Sequence, residues 1–78
     1  MEGGKMKIRN IGSNMTEVEG ATAKMLISYE TPVAAKMHNG PYCRTAKKHS
    51  VTTSRHINKW LDGARAEVKP QEFFDNLL

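Results

Sequence analysis

The clearest alternation of apolar and polar positions lies at residues 23–29. Ala23, Met25, Ile27 and Tyr29 fall on one side of an extended run, and Lys24, Leu26 and Ser28 fall on the other. Side chains alternate across a strand with a period of two, so this pattern predicts a β-strand. Leu26 on the more polar side predicts that both faces are at least partly covered. The alternation is interrupted at Glu30-Thr31-Pro32, because Pro32 offers no ladder donor, and it resumes over residues 32–38 with Val33, Ala35 and Met37 expected against one layer. The small pair Ala34-Ala35 marks a close approach of another backbone or of a ligand. Asn39-Gly40 is a reverse-turn signal, and Pro41 after it argues for a loop of three to five residues before a returning strand at residues 42–45. Upstream, Met6 and Ile8 alternate with Lys7 and Arg9 in a weak strand. A Gly12-Ser13-Asn14 turn and a second short strand at residues 16–19 follow. Residues 1–4 read as a disordered leader or the frame of a strand.

The period changes to a helical one at residues 50–61, where Ile57, Trp60 and Leu61 share a stripe with Thr53 one turn earlier. Ser50, Thr52, Thr53 and Ser54 each offer an oxygen that can cap the helix start. Gly63 is placed to end the helix in the left-handed conformation. Residues 65–69 are a linker or a short strand containing Val68. Pro70 then opens a second helix, too short to stand alone, whose apolar face is Phe73, Phe74, Leu77 and Leu78. This helix must dock on the sheet or on another copy of the chain. The expected fold is α+β: a small antiparallel sheet of three to five strands, one packed helix and a short C-terminal helix. The 78 residues suffice for a single domain over residues 1–78. A core that small makes a homo-oligomer the expectation.

A composition of 38% hydrophobic and 26% charged residues is that of a soluble globular domain. No run approaches the roughly 20 apolar residues of a membrane span, and the start lacks the apolar stretch of a signal peptide. The expected location is cytoplasmic, with no membrane partner. One cysteine, Cys43, excludes an intrachain disulfide and a cysteine-only zinc site, and its expected role is a small buried hydrophobe. The net charge of +4 is unevenly placed. Lys36, Arg44, Lys47, Lys48, Arg55 and Lys59 fall within residues 31–61, together with all three histidines and no acid. Such asymmetry points to an anionic partner.

That basic window contains the candidate chemistry. A helix N-terminus attracts phosphate through its free amides, hydroxyls donate to phosphate oxygens, and arginine supplies a bidentate fork. Ser50, Thr52, Thr53, Arg55 and Arg44 are therefore the expected holders of a phosphate-bearing ligand, with Lys47 and His56 beside them and Tyr42 able to stack on a base. Trp60 lies on the apolar stripe and reads as core. His49 and His56 stand seven apart without a nearby carboxylate, so neither a metal site nor any other cofactor is expected. A Cys43–His49 nucleophile pair lacks a third orienting group, and the acids lie outside the window. No catalytic residue is assigned, and the chain reads as a binding protein rather than an enzyme.

Ile27-Ser28-Tyr29, Thr31-Pro32-Val33-Ala34, Tyr42, Arg44-Thr45, Lys47-Lys48, Ser50, Thr52-Thr53-Ser54, His56-Ile57-Asn58 and Trp60-Leu61 form a pattern, with Pro70-Gln71-Glu72 and Leu77-Leu78 beyond it. This pattern resembles a family of short, uncharacterised bacteriophage and prophage proteins. The resemblance implies a phage setting, hence the host-cell cytoplasm, where small basic proteins bind nucleic acid or antagonise host defence, some as oligomeric sponges for nucleotide signals. The first expectation is capture of a nucleotide or other phosphate-bearing small molecule. Nucleic-acid binding and inhibition of a host defence protein are the alternatives.

Overall fold

In the computed structural model, residues 6–77 are described. The leader expected at residues 1–4 and the apolar Leu78 lie outside them. Eight elements follow in order: β1 (Lys7–Gly12), β2 (Met15–Glu19), β3 (Ala23–Ser28), β4 (Thr31–Met37), β5 (Tyr42–Thr45), α1 (Val51–Leu61), β6 (Ala66–Lys69) and α2 (Gln71–Asp75). The strands form one sheet in sequence order, β1-β2-β3-β4-β5-β6. Neighbours pair antiparallel from β1 through β5, with bulges where the register shifts between Asn10 and Gly12 and between Leu26 and Ile27. Residues 38–41 join β4 to β5, a four-residue loop of the length expected from Asn39-Gly40-Pro41.

Two features correct the expected fold. Among the described residues the sheet has six strands, not three to five, and it is not wholly antiparallel. β6 runs parallel to β5, with Tyr42 opposite Ala66 and Thr45 opposite Lys69. A parallel pair needs a crossover, and α1 supplies it. The helices therefore do not simply follow the strands, since β6 lies between them. The four residues of β6 carry one large apolar side chain, Val68, which is 63% exposed. Of the linker and short strand weighed for residues 65–69, the strand is the one formed, and its place beside β5 depends on where α1 returns the chain.

Each face of the sheet packs against one helix. On the α1 face, Met15, Leu26, Val33 and Ala34 meet Ile57 and Leu61. On the other, Ala23, Met25, Ala35 and Cys43 meet Phe74 of α2. Both faces are covered, as Leu26 predicted, and the adjacent alanines serve one core each: both are fully buried. Their small side chains admit the helix layers. The short α2 docks on the sheet through Phe74, which is fully buried, with Phe73 and Leu77 packed around it.

Of the four possible caps, Ser50 holds the start of α1. Its Oγ accepts the Thr53 N–H at 3.1 Å. The helix closes through Asp62 at φ +50°, followed by Gly63 at φ +85°. The left-handed exit expected of Gly63 alone thus begins one residue earlier.

Candidate functional site

Arg44 stands on the α1 face of β5 and its guanidinium donates to Asn58 Oδ1 of α1 at 3.4 Å. The connection from β5 to α1 is held from both ends. The Ala46 N–H donates to the Lys69 carbonyl at 2.8 Å, and the Lys47 N–H donates to Thr45 Oγ1 at 3.1 Å. This arrangement leaves Lys47, Lys48 and His49 exposed. Between the connection, α1 and β6 lies a cleft of about 250 Å³, lined by Arg44, Lys47, Lys48 and His49, with Thr53, Ser54, Ile57 and Val68. No carboxylate lines it among the described residues. Like charges gathered around a partly dry wall focus a positive potential there.

Gln71 of α2 braces this region from the other face of the sheet. Its Oε1 accepts from the Thr45 hydroxyl at 2.8 Å and from His49 Nε2 at 3.0 Å, which places the imidazole proton on Nε2. Its Nε2 donates to the Pro32 carbonyl at 2.7 Å and to Asp75 Oδ1 at 3.1 Å. One amide side chain thereby joins β4, β5, α2 and the basic connection.

Three of the eight expected site residues, Arg44, Lys47 and Thr53, line the cleft. Thr53 is buried, and its hydroxyl is already engaged. Ser50 Oγ donates to Thr53 Oγ1 at 3.2 Å, the Thr53 and Ser28 hydroxyls share a hydrogen bond at 3.1 Å, and Ser28 Oγ is hydrogen-bonded to His56 Nδ1 at 2.8 Å. Ser50 and Thr53 therefore act first as internal bonds of the fold. His56 sits on the β3 flank of α1, away from Arg44 on the β5 flank. Thr52 and Arg55 are exposed, on a line with Lys59 at helical spacings of three and four. Tyr42 is half-buried, edge-on to Trp60 with ring centroids 5.7 Å apart, and Lys36 Nζ stands 5.8 Å from its ring centre.

Ser28 and Gln71 carry bonds that the sequence reading assigned to neither. For Ser28 the available signal was a polar residue on a face of β3 that Leu26 marked as covered, since a buried hydroxyl needs a partner. Trp60, read as core, packs against the α1-side cluster from its margin and donates from Nε1 to Glu17 Oε1 at 3.1 Å. Glu17 also pairs with Arg9 at 3.6 Å and Lys24 at 4.0 Å. Cys43 is buried as expected, and desolvation pushes its thiol above the ordinary range, reinforced by Glu67 and opposed by Lys69. Among the described residues no cluster of His, Cys, Asp or Glu is grouped to hold a metal ion, and no helix is long and apolar enough to cross a membrane.

The fold and cleft define a small α+β protein with a mixed six-stranded sheet, a helix on each face and a basic hollow at the start of the longer helix. Residues 6–76 match the family of unknown function DUF8033, and the chain belongs to that family. No curated protein and no solved structure matches it at a significant level.

Proposed function

We propose that this chain is a non-enzymatic nucleic-acid-binding protein that engages backbone phosphates through Arg44, Lys47 and Lys48 at the cleft and Arg55 and Lys59 along α1. One observation carries this reading: α1 contains no acidic residue, and its exposed line of Thr52, Arg55 and Lys59 adjoins the basic connection around the cleft. The cations are spread over an open surface rather than converging in a closed pocket, which suits a polyanion better than a small molecule. The internal engagement of Ser50 and Thr53 points the same way, because it removes two hydroxyls from a small-molecule site.

The cleft itself supports a second reading, capture of a free nucleotide. A hollow of about 250 Å³ lined by the Arg44 guanidinium, Lys47, Lys48 and His49 has room for a phosphate and part of what it carries. The phage setting, a role in countering host defence, the host cytoplasm and self-association belong to the same proposal and rest on the sequence resemblance and the small core.

Fluorescence anisotropy with labelled oligonucleotides across a salt series tests the first reading. Five phosphate contacts predict a log–log slope of about −3.5 for single strands and about −4.5 for duplex. A slope near zero overturns it. Thermal unfolding against mononucleotides and cyclic dinucleotides tests the second, since a ligand at 100 times its dissociation constant stabilises by about 2.7 kcal/mol. No shift with any of them removes nucleotide capture.

A further inference from the structure

Tyr29 is the first of the two residues that join β3 to β4, and it adopts φ +58°. Where a two-residue hairpin places its first central residue at positive φ, glycine is the ordinary occupant, and a bulky side chain there is a conformational outlier. The ring is 50% exposed and belongs to neither buried cluster, so the core does not account for it. It packs instead on the imidazole of His56, with ring centroids 5.9 Å apart and planes tilted by 38°. His56 is fixed in turn by Ser28, a buried hydroxyl. An outward-facing aromatic ring, backed by an immobilised second ring and held in a strained turn, is the form of a functional surface.

Its neighbours on α1 specify the partner. Arg55, adjacent to His56, lies exposed on the outer face of the helix with Lys59, and Arg44, Lys47 and Lys48 lie on the far flank. A helix with its side chains is about 10–12 Å across, so a mononucleotide engages one flank, whereas a strand laid over α1 engages both. We infer that Tyr29 is a base-stacking platform for single-stranded nucleic acid that crosses the outer face of α1. Duplex is disfavoured because its paired bases do not present their faces to a side chain. Glu30, exposed next to Tyr29, repels phosphates and confines the backbone to the Arg55 side.

This inference rests on the nucleic-acid reading, and one set of titrations separates the two. The probes are a labelled oligo(dT) 12-mer and a duplex of equal length, measured by anisotropy over a salt series. Tyr29→Ala weakens single-strand binding by about 5- to 150-fold with the salt slope unchanged, and Tyr29→Phe retains the affinity. Tyr29→Gly suits the left-handed backbone and gives the same loss as Tyr29→Ala, which guards against a misfolded variant. A Lys47→Ala, Lys48→Ala pair instead makes the single-strand slope shallower by about 1.4. If Tyr29→Ala and Tyr29→Gly bind the 12-mer as tightly as the parent, the stacking role is overturned while nucleic-acid binding stands. Binding of duplex alone overturns single-strand recognition. If the parent binds neither probe, both conclusions fall together.

Discussion

The hydroxyl of Ser28 lies 2.8 Å from Nδ1 of His56 and 3.1 Å from Oγ1 of Thr53, so one short side chain at the end of β3 grips two successive turns of α1. Ser28 and Thr53 are both buried. Replacing Ser28 with alanine removes one of the two partners of the Thr53 hydroxyl and leaves His56 Nδ1 without its Ser28 partner, at a cost of about 1–3 kcal/mol in denaturant unfolding. Thr52→Ala, one residue from Thr53 but exposed, stays within about 0.5 kcal/mol of the parent. Equal midpoints for the two variants would show that the chain of hydroxyls does not hold the helix.

Gln71 supports a second prediction because donor and acceptor are both used. Its amide nitrogen donates to the Pro32 carbonyl while its oxygen accepts from Thr45 and His49. Gln71→Glu retains the acceptor but loses the donor to both the Pro32 carbonyl and Asp75 Oδ1, and sets a carboxylate against each. A loss of about 1–3 kcal/mol is expected, with faster amide exchange in α2 and in residues 46–50. Exchange confined to α2 would mean that the basic connection does not depend on this amide.

The buried thiol of Cys43 gives the protein an alkaline sensitivity. Burial raises its pKa in the folded chain, so above the ordinary thiol value the folded state holds more protons than the unfolded one. Stability from this group is complete below that pH and declines as pH rises through the folded-state value. Cys43→Ala flattens the alkaline limb of a stability-versus-pH curve measured by urea unfolding. A limb of unchanged steepness would assign the effect to other groups.

The central strands were legible as segments because β3 alternates cleanly and β4 and β5 are bounded by proline or an Asn-Gly turn. The single layer expected for Val33, Ala35 and Met37 is corrected: the bulge opposite Leu26 and Ile27 turns Val33 to the α1 face with Ala34, while Ala35 and Met37 pack on the α2 face. The helix start was legible as a region, but four hydroxyl residues were chemically equal there, and only the onset of α1 at Val51 selects Ser50. β6 was legible only as one of two alternatives, and its parallel partner not at all: Ala66, Glu67, Val68 and Lys69 carry little pattern, and β5 lies a helix away in sequence. The charge window picks out Lys47, Lys48, Arg55 and Lys59, which are exposed, and Lys36 and Arg44, which are half-buried. Their grouping was hidden, since Thr53, Ser54 and His56 are near neighbours along α1 yet divide between the cleft and the Tyr29 flank.

Trp60 offers a spectroscopic test, being the sole tryptophan. Its indole donates to Glu17 Oε1 at 3.1 Å, and that carboxylate is shielded, with 13% of its side chain exposed. Glu17→Gln keeps an acceptor while removing the charge shared with Arg9 and Lys24, so stability falls by less than about 1 kcal/mol. Glu17→Ala removes the acceptor as well and shifts the tryptophan emission, and an unmoved spectrum would place the indole bond elsewhere.

The parallel pairing of β5 with β6 has a kinetic consequence. The hairpins from β1 to β5 close short loops, whereas the β5–β6 pair must wait for α1 to span the crossover, and distant pairings form slowly. Val68, which lines the basic cleft, arrives only with that last edge. The cleft is therefore expected to be completed at the end of folding. Anything bound there also tethers the sheet's short final strand against local opening, so occupancy is read directly as slower exchange of the β6 amides.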